Sequence, residues 1–507
     1  MKAKYIFGLI LSASLLSACT EDQMDEINTD EAHTSSKYVS GELSITDAEV
    51  CTVANTLNQD YPWYISSYTE QLFGTGNNQL KNIEVRQRAE MASSSTFDND
   101  WNATYGNINN LLDIKKKCAT GGVNSDNYAL LGMEQTLEAL NWGVLTDLHG
   151  DIPCSQACLG ILNPTLDKQE AIYNKIFALL DSAQINLAKG SPSSTLRSHD
   201  VLNGGNMAKW QALAHALKAR YLLHTYGRNK DVLPQVLTEA NAAIDGGFTG
   251  CNLDVFDGSS NINTWSEYFW DREYIGCSTT VDSLMADRDD PREQIYNYNG
   301  YGKDTVAIPG DENLAEQTEY VNYPAWLDNG AAYEHLFSKS EIYFIIAECQ
   351  ARLSQDATSA FESGVEASME DYFNTSYQQV IDNTISSDNL SSMITNDTKK
   401  YLANIKDRFT ANPLNEILIQ KYLAQTRDEQ IETYNDMRRC IYVDGSYPVK
   451  MTNPNNTRSG SNYWPYRLPY GASDVTNNPN VTKAFGSGND AGMYIFSDPV
   501  WWAGGND

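Results

Sequence analysis

Apolar residues recur at three- and four-residue spacing in one segment after another of this chain, and that recurrence commits it to a helical architecture. Tyr128 to Asp147 is strongly apolar and stops at Leu148-His149-Gly150-Asp151-Ile152-Pro153. Glu170 to Leu187 places Ile172, Ile176, Leu179, Leu180, Ala183 and Leu187 on one stripe. Phe97 to Cys118 and Met207 to Tyr226 repeat the pattern, and Pro234 to Ile244 closes the set before Gly246-Gly247. Residues 46–60 and 79–92 are shorter helical candidates. Amphipathic helices joined as hairpins predict a helical-repeat arrangement, as in tetratricopeptide stacks, although no strict period of about 34 residues shows.

The pattern then lapses. Phe248 to Leu336 lacks helical periodicity over most of its length and is dense in Asn, Gly, Asp and aromatics. A structureless stretch of that length inside a folded chain predicts a binding surface. Helical signal resumes at Lys339 to Leu353 and Ala357 to Tyr372, weakens at Ser391 to Leu402, and runs long from Asn412 to Tyr434, with Pro413 in its first turn. From Ile441 the chain reads as loops with a short hairpin. The expectation is a mostly α protein with very little strand.

Asp and Glu outnumber Lys and Arg by 66 to 36, a formal charge of -30 over 507 residues. Such a surface repels phosphate backbones and anionic lipid headgroups, so nucleic acid is a poor partner. The N-terminus carries the most specific local signal. Lys2 and Lys4 precede an apolar run, Ile6 to Leu16, too short to span a bilayer, and Leu16-Ser17-Ala18-Cys19 closes it. A cysteine after small residues at a cleavage site matches a bacterial lipoprotein signal, with Cys19 as the lipidated first residue. Residues 1–18 are then a signal peptide and 19–40 a polar tether.

Chemical signatures are sparse. There is no GxSxG elbow, P-loop, HExxH or dinucleotide fingerprint, and no CxxC pair or His/Cys cluster for zinc. Cys154 and Cys158, in one Gly/Pro-bounded loop, are placed to form a small disulfide, while Cys349 reads as a buried thiol. Glu341 and Glu348 lie about 10 Å apart along one helix, which makes them poor partners for acid–base work. Arg220, Arg438 and Arg439 read as structural, with Asp436 or tail carbonyls as partners for the last two. His149, His215 and His224 show no nucleophile or carboxylate pattern and read as packing or cap residues. Asp282, Asp287, Asp289, Asp290 and Asp311 are dense in oxygen ligands, but their spacing is not an EF-hand, and they read as an acidic solvated loop.

Several stretches together resemble one family, the SusD/RagB-like nutrient-binding lipoproteins of the Bacteroidota outer membrane. They are the lipobox at Cys19, DLHGDIPCSQA from Asp147, QEAIYNKIFALLDSA from Gln169, WQALAHALKARY from Trp210, SEIYFIIAECQA from Ser340, ILIQKYLAQTRDEQIETYNDMRR from Ile417 and RLPYGASDVTNNPN from Arg467. Their order is the family's, and they cover nearly the whole mature chain, most like the SusD-like branch. The resemblance implies tetratricopeptide-like hairpins packed against a loop-rich ligand-binding half, in one unit over residues 41–507. The helical parts are 46–247 and 339–440, the binding segment 248–336 and the irregular tail 441–507. It further implies a lid on a TonB-dependent transporter barrel, lipid-anchored and facing outward, that captures oligosaccharide or peptide and passes it inward without cleaving it. No cofactor is implied, although some members carry structural calcium.

Sugar binding needs flat apolar faces flanked by Asn, Asp, Arg or Gln for hydroxyls. Two regions have that composition: Tyr61 to Gln79, and the stretch from Trp265 through Arg272 on to Trp326. The candidate ligand-binding residues are Trp265, Trp270, Tyr296, Tyr301 and Trp326, with Trp63 in reserve. Trp501 and Trp502 are expected to pin the C-terminus. The expected ligand is a neutral oligosaccharide, which the negative charge does not repel. The alternatives are a lipid-anchored hydrolase and a helical scaffold that binds peptide or protein.

Overall fold

Asn127, Asn206, Ser338 and Asn412 open four of the long helices by the same device, a side-chain oxygen accepting an amide from the first turn. The computed structural model describes residues 36–76, 79–300, 302, 305–316, 321–380 and 387–506. Its longer helices are α1 (Asp60–Tyr68), α2 (Asp98–Cys118), α3 (Tyr128–His149), α4 (Gln169–Lys189), α5 (Met207–His224) and α6 (Leu233–Asp245). They continue with α7 (Thr264–Arg272), α8 (Thr279–Ala286), α9 (Lys339–Arg352), α10 (Thr358–Val380), α11 (Ser387–Ala411), α12 (Pro413–Ala424) and α13 (Gln430–Asp444). Strand is confined, among the described residues, to four two-stranded antiparallel ladders. None of the described helices is long and apolar enough to cross a membrane.

α3 is the axis of the helical part. It is buried without a break from Gly132 to His149, as a helix surrounded by others must be. α2 and α4 flank it, and α5 packs on α4 and α6. Two glycines set the spacing. A Cβ on Gly143 would lie 2.2 Å from the Tyr221 hydroxyl of α5, and one on Gly132 2.6 Å from Leu187 of α4.

The structure departs from the sequence reading in three places. The segment 248–336 is not structureless: it contains α7 and α8, each opened by an asparagine or serine cap, Asn263 and Ser278. These helices are too short for an apolar stripe to repeat visibly. The expected helix 412–434 is two helices, α12 and α13, broken where Asp428 takes φ +65°. The weak signal at 391–402 belongs to a longer helix, α11.

The motifs that carry the family resemblance meet in a buried charge lattice. Arg220 of α5 donates from Nε to Glu341 Oε1 of α9 at 2.8 Å and pairs through Nη2 with its second oxygen. Glu348, two turns further along the same face of α9, takes Arg439 Nη2 at 2.8 Å and Arg352 Nε at 2.7 Å. Burial pushes the Glu348 carboxyl up, but Arg439 and Arg352 outweigh it and hold it well below the carboxylate range. Asp436 joins Arg439 (2.6 Å) to Lys421 of α12 (2.7 Å). Arg438 donates to the carbonyls of Asp147 (2.8 Å) and Tyr466 (3.1 Å). Glu341 and Glu348 are therefore ion-pair partners, and all three arginines have the structural role expected of them.

His224 shows what sequence spacing missed. Its Nδ1 lies 3.2 Å from Asp147 Oδ2 and its Nε2 3.0 Å from Glu432 Oε2. Burial alone would lower its pKa, but the two carboxylates raise it to about 9, so it is an imidazolium at neutral pH. His215 likewise has a carboxylate partner, Glu239, at 2.6 Å. Trp502 is fully buried and donates to Asp147 at 2.9 Å, pinning the C-terminus to α3 as expected.

Candidate functional site

The β1–β5 ladder, Leu72–Gly74 against Ile275–Cys277, holds two distant parts of the chain side by side. α1 runs into β1 and α7 leads to β5, so the ladder fixes the two helices at one end. Asn58 fixes them at the other. Its carbonyl accepts the Thr264 hydroxyl at 2.7 Å, and its Oδ1 accepts the Trp265 indole at 3.1 Å. Between these two pins, Trp63 of α1 stacks on Tyr268 of α7, with ring centroids 4.0 Å apart and planes 19° from parallel. Tyr274 meets Tyr268 edge-on at 6.4 Å. All three rings are half-buried.

The N-terminus of α1 has no cap of its own. Asp100 of α2 supplies one from across the fold, accepting the Tyr61 amide at 2.6 Å. Asp60, one residue earlier, accepts from Asn99 Nδ2 at 3.0 Å, and burial raises its carboxyl to about 6 against that bond. Burial also pushes the Tyr268 phenol up, with Asp60 and Tyr274 adding to the effect. On the other side, Tyr64 donates to Gln79 at 2.9 Å. Gly76, at φ +86°, brings the backbone against the Tyr274 ring, where a Cβ would sit 2.2 Å from Cδ1. The buried Nε1 of Trp63 has no hydrogen-bond partner, an unmet donor at the edge of the stack. The result is an aromatic platform bordered by amide, carboxyl and hydroxyl groups.

The candidate residues from the sequence divide into groups. Trp63, held in reserve, is at the platform. Trp270 is exposed (42%) but lies on the other side of α7, against Gly330 where its backbone meets that of Gly258. Trp265, Tyr296 and Trp326 are corrected: all three are buried in the core, where neighbouring side chains occupy their faces. Trp265 packs edge-on against Trp63, and Trp326 against Tyr296 and Tyr372. Tyr301 lies outside the described residues, as do Cys19 and the signal segment. Tyr268 and Tyr274 were missed as individual candidates. The available signal was the three-residue spacing of Trp265 and Tyr268, which puts one helix side against Trp63.

Other clusters have internal partners. Asp290 is held by Arg292 at 2.6 Å, Asp287 by Arg408 at 3.1 Å, and Asp282 accepts from Asn297 at 2.9 Å, so the aspartates do not converge on a common cation. Asp147, His224 and Glu432 bring three ligand-type atoms within 4.8 Å of one another. Both ring nitrogens of His224 already face carboxylates, an arrangement suited to a proton and not to a metal. Cys154 and Cys158 are free thiols, and Cys349 is a buried one. A polar cavity of about 400 Å³ near the C-terminus contains Asp151, Asp498 and Arg467. Its two carboxylates face Lys168 and Arg467 respectively.

A family model described as starch-binding and associating with the outer membrane, the SusD-like model, matches residues 17–471. Among solved structures, a SusD/RagB family protein from Bacteroides thetaiotaomicron is 31% identical over 92% of this chain and 100% of its own, with a TM-score of 0.83. A SusD homologue from Parabacteroides distasonis is 19% identical over 92% and 98%, with a TM-score of 0.69. A chitin-binding SusD homologue from Flavobacterium johnsoniae is 18% identical over 90% and 98%, with a TM-score of 0.64. The last two likenesses concern the fold alone. No curated protein is significantly similar.

Proposed function

Because this chain belongs to the SusD-like family, we propose that it is a glycan-binding lipoprotein of the outer membrane. In this reading Cys19 carries the lipid, the body faces outward, and a neutral oligosaccharide captured there is delivered to a partner TonB-dependent transporter. The observation that carries the proposal is the half-buried Trp63–Tyr268 stack with Tyr274 beside it. An aromatic face takes the C–H side of a pyranose, and Asp60, Asn99, Gln79 and Arg272 are placed around it for hydroxyls. The charge of -30 does not oppose an uncharged sugar.

A glycan array followed by calorimetry tests this reading. Binding of a neutral glycan, weakened by Trp63→Ala, supports it; a protein that binds no glycan, or binds one unaffected by Trp63→Ala and Tyr268→Ala, removes it. A hydrolase reading would rest on Asp60 and Asp100, the buried carboxyls beside the platform. The Asp100 bond to the Tyr61 amide gives that residue a helix-capping role. Unchanged ligand recovered after prolonged incubation supports binding over hydrolysis.

A further inference from the structure

Glu334 opens the strand Glu334–Phe337, is fully buried, and pairs with no cation among the described residues. The charged groups around it are engaged with one another. Arg427 Nη1 lies 3.1 Å from Asp371 and 3.3 Å from Asp428, and His335 lies 3.2 Å from Asp371. What Glu334 meets is Thr264, the first residue of α7. Its Oε1 accepts the Thr264 amide at 2.7 Å and lies 2.6 Å from the Thr264 hydroxyl oxygen. Its Oε2 is buried without a partner.

The hydroxyl decides the charge of this carboxyl. Thr264 Oγ1 also lies 2.7 Å from the Asn58 carbonyl, which can only accept. An ionised carboxylate only accepts as well. One hydroxyl proton cannot serve two acceptors when both contacts have the length of a full hydrogen bond. A neutral acid removes the conflict. The Glu334 O–H donates to Thr264 Oγ1, whose own proton goes to Asn58, and the Thr264 amide uses the remaining lone pair of Glu334 Oε1. The orphan Oε2 is then an uncharged carbonyl oxygen, which costs far less to leave unpaired in a core than half of a carboxylate. Burial acts in the same direction and pushes the carboxyl up to about 8; the bonds from Thr264 and the Arg427 charge oppose this, and Asp428 adds to it.

We propose that Glu334 is a positioning residue for the aromatic platform, acting as a neutral acid whose proton seats α7 on Asn58 and whose ionisation unseats it. The relay from Glu334 through Thr264 to Asn58 closes the end of α7 opposite the β1–β5 ladder. Asn58 is itself held, donating from Nδ2 to the carbonyls of Val53 (3.0 Å) and His335 (3.3 Å). Tyr268 lies one helical turn beyond Thr264, so its stack on Trp63 depends on where this clamp holds the helix. Loss of the proton to solvent leaves Thr264 Oγ1 between two acceptors, and one bond of the relay breaks. This rests on the platform being the ligand site, as proposed above.

Calorimetry with the neutral glycan selected on the array, at about pH 7 and about pH 9, reads the clamp through affinity. At about pH 9 roughly one tenth of the carboxyl is still neutral, so affinity should fall about tenfold. Glu334→Gln cannot ionise and lacks the acid proton; it should bind more weakly than the parent at about pH 7 and lose nothing further at about pH 9. Thr264→Val removes the hydroxyl through which the proton acts and should behave in the same way. Circular dichroism checks both variants. A second readout needs no ligand and no variant: hydrogen exchange across residues 264–272, referred to the unfolded peptide at each pH, should quicken in the parent at about pH 9. An alkaline loss of affinity equal in parent and variants overturns the proposal, as does parental exchange in this segment that ignores pH. Quickened exchange in a protein that binds no glycan removes the ligand reading and leaves the clamp standing. Glycan binding with no alkaline step removes the clamp and leaves the ligand reading.

Discussion

Trp63 and Tyr268 stack at 4.0 Å although 205 positions separate them in the chain. The contact is set by the β1–β5 ladder at one end of α1 and α7 and by Asn58 at the other. Such a platform is pre-organised: its rings are in place before ligand arrives, so little side-chain entropy opposes binding.

Trp63→Ala and Tyr268→Ala are expected to weaken glycan binding by about 2 kcal/mol each, roughly thirtyfold, as central aromatic contacts do. Trp63→Phe should retain part of the affinity. Calorimetry on variants with parental circular dichroism is the check. Equal affinity across the set would place the ligand elsewhere.

Trp265→Ala and Trp326→Ala are expected to act on stability, by about 3–5 kcal/mol, because each removes a buried indole. Urea unfolding should show a lower midpoint, and Trp265→Phe a smaller change. A parental midpoint for the alanine variants would contradict the core assignment.

His224 makes stability depend on pH. Its folded pKa of about 9 lies above the unfolded value near 6.5, because Asp147 and Glu432 favour the charged ring. Its contribution, about 3 kcal/mol, is fully present below pH 6.5 and is lost as pH rises through 9. His149 has the opposite sign: burial lowers it to about 3, so stability falls as pH drops below 6.5 toward 3. Unfolding free energy measured across this range should peak near neutrality. His224→Gln should flatten the alkaline side, and an unchanged alkaline slope would refute the imidazolium.

Gly143→Ala is expected to destabilise the protein. Alanine favours a helix interior by about 1 kcal/mol, but the new Cβ would lie within 2.5 Å of three Tyr221 atoms. Overpacking of that kind costs about 1–3 kcal/mol, and the rigid buried phenol cannot swing aside. A raised melting temperature would show that α3 and α5 can separate freely.

Cys19→Ala is expected to release the protein from the membrane fraction, since several acyl chains hold where one does not. Retention of the variant in washed membranes would point to another anchor.

The long helices were legible because an apolar stripe is a local property: three- and four-residue spacing in Glu170–Leu187 exists before the chain folds. The same holds for the structural reading of Arg220, whose apolar neighbours already required a paired partner, and of Arg438 and Arg439, placed near a helix end. Local signal failed at α7 and α8, where short helices are started by single caps and finished by tertiary contacts. It failed for Trp265, Tyr296 and Trp326, since an aromatic residue has the same sequence signature whether it covers a core or faces a sugar. His224 and Glu432, 208 positions apart, became partners only when α5 packed beside α13. By itself the sequence determined the helices, the family motifs and the charge. Tertiary structure alone decided which carboxylate met which cation and which aromatic stayed half-buried, because burial and pairing belong to neighbours in space.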